Sequence, residues 1–237
     1  MKKLKINIKN LGKRFENKII LERVNLKIFE SESLAIIGES GSGKSVLTKC
    51  ITGLMKFDIG DVLFEDLYNL KTLTNKKILV HTSKFGVLFQ NAALFDSLSV
   101  RENLLFEVKS KNISETLKDV GLDDSILESY PADLSVGVQK RVGLARAIIS
   151  EPQILIFDEP TTGLDPIVAD QINKLIRQLV TQKKLTTITI THDMKSVYEF
   201  ADKVAFISGG NICWYGDIKS IKIQKNKLLN NFINGEI

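Results

Sequence analysis

Apolar and polar residues alternate at Leu4-Ile6-Ile8 and again at Val24-Leu26-Ile28, the period of strands with one buried face, which predicts an antiparallel β layer early in the chain. The pattern then changes. Ser33 to Gly38 is a continuous apolar run ending in glycine, as expected of a strand buried on both faces. After Ser45 the apolar positions Val46, Leu47, Cys50, Ile51 and Leu54 recur at helical spacing, with Gly53 near the end. Further buried strands are predicted at Phe85–Phe89, Ile154–Phe157, Thr186–Ile190 and Val204–Ile207, and helices at Val138–Ile149 and Ile167–Val180. Such alternation predicts an α/β fold with a mainly parallel sheet. From about 91 to 150 several helices follow one another with no strand, which reads as a helical subdomain inserted in a single domain spanning 1–237. Internal repeats, low-complexity linkers and coiled-coil heptads are not evident.

Composition narrows the class. The 237 residues suit one large α/β domain, and 43% hydrophobic with 26% charged residues excludes a disordered or fibrous chain. The longest apolar runs, such as Ile154–Phe157, fall far short of the roughly 18 to 20 residues that span a bilayer. The first residues interleave lysine with every apolar position and open no signal-peptide core, so a cytoplasmic protein is expected. Cys50 and Cys213 lack metal-ligand spacing and lie in apolar surroundings, which predicts core residues rather than a disulfide or a zinc site. A net charge of +5 invites a nucleic-acid reading. The cations, however, crowd the first 30 residues and the tail after Asp217, while Asp96–Asp170 is acidic. No basic helix face or aromatic RNA-binding strand appears, so solvent-facing lysines or a nearby anionic membrane surface account better for the charge.

The chemistry begins at Gly38-Glu39-Ser40-Gly41-Ser42-Gly43-Lys44-Ser45, a complete G-x-x-x-x-G-K-[ST] motif placed after a buried strand and before a helix. Glycines let backbone amides and the helix N-terminus close on phosphates. Lys44 would reach the β- and γ-phosphates of ATP, and Ser45 would offer its hydroxyl to Mg²⁺. Ile154-Leu155-Ile156-Phe157-Asp158-Glu159 puts carboxylates at the end of a buried strand: Asp158 suits a water-mediated Mg²⁺ contact, and Glu159 suits orienting or deprotonating the attacking water.

A third motif carries a family resemblance. Leu134-Ser135-Val136-Gly137-Val138, followed by Gln139-Lys140-Arg141 and Leu144-Ala145-Arg146-Ala147, resembles the LSGGQ signature of ABC ATPases. Gln90 at a strand end, Gly163-Leu164-Asp165 and His192 follow in the order of that family, and the resemblance covers essentially the whole chain. It implies a P-loop ABC ATPase fold and a head-to-tail homodimer, each ATP lying between the P-loop of one copy and Ser135 and Gly137 of the other. Ser135 can cap the helix that begins near Val136, whose amides would meet the γ-phosphate. The resemblance further implies that Phe15 stacks on adenine, Gln90 senses Mg²⁺ and the partner protein, His192 holds the γ-phosphate, and the loop through Asp165 crosses the dimer interface. A phenylalanine between strands is more often a core residue, and that is the alternative for Phe15. Asp165 is expected to cap a helix with Pro166 at its first position. Val136 departs from the first glycine of LSGGQ and is expected to slow hydrolysis or weaken closure without killing the site.

Phe89 to Asn103, Gly163 to Ile167 and the ending Asn231 to Gly235 are similar to the ATPases of MCE-type (Mla) phospholipid transporters. That implies a peripheral subunit on the cytoplasmic face of the inner membrane, working with a separate permease and an MCE-domain lipid-binding protein. An importer of a small solute is the first rival, and an ABC protein acting on nucleic acid or ribosomes the second. Ala92-Ala93-Leu94-Phe95 either packs under the helical subdomain or lines a groove for a permease helix, with Phe95 as anchor.

Overall fold

A computed structural model describes residues 2–106 and 112–236. In chain order they form β1 (Leu4–Phe15), β2 (Lys18–Phe29), β3 (Ser33–Ile37), α1 (Lys44–Thr52), β4 (Ile59–Phe64), β5 (Tyr68–Asn69), α2 (Asn75–Thr82), β6 (Phe85–Leu88), α3 (Val100–Leu105), α4 (Ile113–Asp119) and α5 (Val136–Ile149). The order continues with β7 (Ile154–Asp158), α6 (Pro166–Lys183), β8 (Thr186–Ile190), α7 (Met194–Phe200), β9 (Lys203–Ser208), β10 (Asn211–Asp217) and α8 (Lys227–Asn234). The chain divides into two compact units, one built from residues up to Lys84 and from Thr186 onward, the other from Phe85 to Leu185.

The first unit holds the expected antiparallel layer, ordered β2-β1-β4-β5. Of the predicted inward positions Ile6, Ile8, Val24, Leu26 and Ile28 are buried and Leu4 is half-buried, but in β1 the intervening Lys5 and Asn7 are buried as well, so that strand has no open face there. β3 is buried along its whole length and pairs in parallel with β8 on one side and β9 on the other. β10 closes the edge antiparallel to β9. Against β3 and β9 pack Val197 of α7 and Leu229 of α8, with the Phe232 ring tilted against that of Phe206 at 5.4 Å. Cys50 is fully buried, and burial pushes its thiol up to about 11. Cys213 meets its expected core place in part: it stands half-buried on the edge strand β10, packed against the core of β3, β9, α7 and α8.

The sequence pattern predicts none of β4, β5, α2, α7, β10 and α8 in this unit, and the first three show why. β4 carries Gly60 in the left-handed region (φ 86°), where a Cβ would come within 2.3 Å of the Asn10 carbonyl, opposite a bulge in β1 between Lys9 and Gly12. β5 is only two residues long. In α2 the pattern is inverted: Leu79 and Val80 are exposed, while His81 is 1% exposed. The His81 ring is held at both nitrogens, Nε2–H donating to the Ile51 carbonyl (2.9 Å) and Nδ1 accepting from the Tyr68 hydroxyl (2.9 Å). Lys84 donates to the same hydroxyl at 3.1 Å.

Burial, helped by the Lys84 charge, holds the His81 imidazole below the usual histidine range. The unfolded chain therefore binds this proton more readily, so the stability is complete above the ordinary histidine pKa and declines as pH falls below it. Each unit of depression corresponds to about 1.4 kcal/mol. The difference in unfolding midpoint between pH 7.5 and pH 5 is expected to shrink in His81→Gln. An unchanged difference would clear this side chain of the effect.

In the second unit β6 and β7 run in parallel, and α5 lies so close to β6 that a Cβ on Gly86 would stand 2.0 Å from the Ala147 carbonyl. Between 91 and 150 the described residues form α3, α4, α5 and short 3-10 turns, with no strand, as the sequence predicts. Ser99 begins α3 with a full capping box to Glu102, and Asp165 caps α6 by accepting from the Ile167 and Val168 amides (3.0 Å each) with Pro166 at the first turn. Among the described residues no helix is long and apolar enough to cross a membrane.

Candidate functional site

In the first unit, β3 runs into the glycine loop and β8, beside it in the sheet, is followed two residues on by His192, so both open at the carboxyl edge of parallel strands. Gly38 (φ 153°) passes so close to β9 that a Cβ would stand 2.1 Å from the Ile207 carbonyl, and Gly43 (φ 108°) caps α1 in a left-handed conformation. Only glycine makes both turns. Lys44 is buried, its ammonium donating to the carbonyls of Gly38 and Glu39 at 2.7 Å each. Ser42 Oγ is buried without a hydrogen-bond partner. A buried donor facing the loop interior, amides converging on a helix start and a clamped ammonium together form a phosphate cradle.

Glu39, Ser40, Gly41 and Ser45 are exposed along the rim of that cradle. His192 is exposed as well, and it is fixed from both sides. The Thr191 amide donates to the Ile36 carbonyl at 3.3 Å, and Asp193 caps α7 through the amides of Lys195 (2.9 Å) and Ser196 (3.1 Å). Phe15 lies at the end of β1, 44% exposed, with the Lys13 ammonium 5.2 Å from its ring centroid. The core alternative for Phe15 is thereby corrected: the hairpin end leaves its face open to a planar ligand.

The second unit brings the remaining residues to the carboxyl edge of its own parallel pair, Gln90 after β6 and Asp158-Glu159 at the end of β7. Glu159 takes a left-handed backbone (φ 49°), a conformation that turns the chain sharply out of the strand, and its Oε2 accepts from Thr162 Oγ1 at 3.1 Å. Asp158 and Glu159 are half-buried and Gln90 is exposed. Here the Gln90 amide and the Asp158 carboxylate, and in the first unit the Ser45 hydroxyl, each offer the kind of hard oxygen that Mg²⁺ prefers.

The signature segment starts α5. Ser135 caps it by accepting from the Val138 amide at 3.4 Å, and its first turn faces outward, with Val136 55% exposed. Gly137 is needed where it stands, since a Cβ would approach Val168 to 2.9 Å. Gln139 clips the loop before the helix, donating to the carbonyls of Pro131 (2.9 Å) and Leu134 (3.0 Å). Val138 occupies the fifth place of the pentapeptide, so this chain departs from LSGGQ there as well as at Val136.

Sequence reasoning assigned no role to Lys140 or Arg146, although these two, with Arg141, are the three cations of a largely apolar helix and a visible signal. Both turn onto the segment after β6: Lys140 donates to the Gln90 carbonyl, and Arg146 Nη2 donates to the Ala92 carbonyl at 2.9 Å. Phe95 is 43% exposed, 4.5 Å from the exposed ring of Phe106 and 5.7 Å from the Arg146 guanidinium, so packing beneath the helices is not its place.

A glycine cradle with its lysine on one strand end and an Asp-Glu pair on another define a P-loop nucleoside triphosphatase. The comparisons sharpen the class. Residues 21–162 match the family described as "ABC transporter", and the chain belongs to that family. It is 33% identical to a methionine import ATP-binding protein of Clostridium tetani, over 98% of this chain and 75% of that one. It is 34% identical to the L-cystine import ATP-binding protein TcyC of Bacillus subtilis, over 97% of each chain. With the Arabidopsis thaliana protein Trigalactosyldiacylglycerol 3, chloroplastic, the identity is 34% over 98% of this chain and 74% of that one. Solved structures agree: cbiO1 of Clostridium perfringens, part of an ABC transporter complex, superposes with a TM-score of 0.84 at 28% identity, covering 99% and 100% of the two chains. A dimeric cassette, MJ0796, in a post-hydrolysis state bound to ADP and Pi, gives 0.78 at 28% identity, over 90% and 98%. The protein is an ATP-hydrolysing ABC subunit with the ABC ATPase fold.

Proposed function

We propose that the protein works as a homodimer on two copies of a separate membrane permease, at the cytoplasmic face, and powers import of a small solute. The observation that carries the dimer reading is the outward-facing first turn of α5, whose capped amide end is exposed on its own unit and suited to an anion brought by a second copy. In this reading Lys44 leaves the Gly38 and Glu39 carbonyls for the β- and γ-phosphates, and the amides of Glu39 to Ser45 surround them. Ser135 and Gly137 of the other copy meet the γ-phosphate, Phe15 covers the adenine and Asp165 fixes the loop at the dimer contact. Glu159 takes the proton of the attacking water, and His192 steadies the γ-phosphate. Bound Mg²⁺, for which Ser45, Gln90 and Asp158 are the proposed oxygen donors, supplies charge neutralisation at the phosphates.

The methionine and cystine importers among the relatives support a small solute as cargo. A second reading, phospholipid transport with an MCE-domain partner, is favoured by the segment Phe89–Asn103 and by the relative whose name carries a glycolipid. Affinity purification of the tagged chain from membranes separates them. A permease whose ATPase rate rises with an added amino acid supports the first, and one that carries phospholipid and an MCE-domain subunit supports the second. Recovery of nucleic acid or ribosomes without any permease would overturn both.

A further inference from the structure

Helix α2 runs against the usual rule for a surface helix: its buried residue is His81, while Leu79 and Val80 face out. From behind it is anchored to the end of α1, the His81 ring donating to the Ile51 carbonyl and Thr82 Oγ1 to the Thr52 carbonyl at 2.9 Å. Those ties commit the opposite face to the outside, where Lys76, Leu79 and Val80 fall on one stripe by helical spacing. Leu79 is 70% exposed, Val80 64% and Leu54, just beyond α1, 62%. Leu54, Lys56, Lys71 and Ile78 line one cavity of about 340 Å³, so the end of α1, the turn before α2 and α2 itself share a surface.

Lys56, Lys71, Lys76 and Lys77 are all exposed, and among the described residues none of the four forms an ion pair. From Leu67 to Phe95 the chain holds no acidic residue. Of the acids just before it, Asp58 is paired with Lys13, Glu65 with Lys3 and Lys5, and Asp61 accepts from the Asn69 amide, which sets Asp66 against four lysines. Interfaces between proteins are depleted of lysine, whereas the phosphates of an anionic lipid layer attract it and impose no fixed geometry on its long side chain.

We propose that the outward stripe of α2, with Leu54 beside it, rests on the headgroup layer of an anionic membrane: Leu79 and Val80 enter the layer, and Lys56, Lys71, Lys76 and Lys77 pair with lipid phosphates. The proposal rests on the reading that the protein sits at the cytoplasmic face of a membrane.

The test is sedimentation of the purified full chain with vesicles of phosphatidylglycerol and phosphatidylcholine in equal parts, and with vesicles of phosphatidylcholine alone. Binding is expected to the first and not to the second, and to fall when salt is raised to about 0.5 M. Lys76→Ala with Lys77→Ala should lower the partition by about 10-fold, and Leu79→Ser with Val80→Ser by a similar factor. All four side chains are exposed, so melting temperature and ATP affinity should stay at the wild-type values. Lys222→Ala with Lys225→Ala, in the basic tail, should leave the partition unchanged. Equal binding to both kinds of vesicle, no binding to either, or a loss confined to the tail variant would each overturn the proposal. So would α2 variants that bind vesicles normally but no longer bring down a permease, since the stripe would then be a protein contact. If the wild-type chain brings down no permease at all, the transporter reading fails instead, whatever the vesicles show.

Discussion

Replacing Glu159 by glutamine is expected to slow ATP hydrolysis by roughly 10²- to 10⁴-fold while leaving nucleotide affinity close to that of the wild type. The amide is isosteric with the carboxylate and can still accept from Thr162 Oγ1, so the left-handed turn at the end of β7 is kept. What is removed is the proton acceptor. Bound ATP would then persist, and a homodimer held by that ATP should appear in size-exclusion chromatography with Mg-ATP and fall apart when nucleotide is withdrawn. A variant that hydrolyses ATP at the wild-type rate would place the base elsewhere. A variant that stays monomeric with ATP would count against the shared-nucleotide dimer.

Lys44→Ala removes an ammonium that has two carbonyl partners in the loop and that would exchange them for phosphate oxygens. Charge-assisted hydrogen bonds contribute about 1.5 to 3 kcal/mol, so ATP affinity is expected to fall about 10- to 100-fold and turnover to fall with it. Fluorescent-nucleotide titration and steady-state ATPase assays measure the two effects. Because the same substitution also loosens the Gly38-Glu39 turn, the melting temperature without nucleotide should drop slightly. The added stabilisation by ATP should be largely lost. Wild-type hydrolysis by the purified variant would mean that the activity resides in another site.

Legibility in the sequence followed the physics of each segment. β8 was readable at both boundaries, because a five-residue run buried on all sides leaves a continuous apolar and β-branched pattern. α6 was readable at its start because Asp165 and Pro166 each satisfy a different need of a helix N-terminus. The glycine cradle was readable because it is local: eight consecutive residues carry the whole geometry. α2 was hidden because the residue it buries is a histidine satisfied by a distant tyrosine and a distant carbonyl, partners that no local pattern announces. The ties from Lys140 and Arg146 were hidden for the same reason, since they reach chain positions 50 and 54 residues away. Phe15 and Phe95 needed exposure to decide between two readings that hydrophobicity alone left open.

The segment after β6 has a mechanical consequence. Ala92 and Ala93 both adopt left-handed backbone angles (φ 57° and 49°), which alanine tolerates with strain where glycine would rest easily. From Val87 to Val120 the chain contains neither glycine nor proline. Three ties brace it: Lys140 and Arg146 hold the carbonyls of Gln90 and Ala92 to the signature helix, and the buried Asn103 amide holds those of Phe95, Leu98 and Ser99, so a load on the Phe95 ring would be shared among all three.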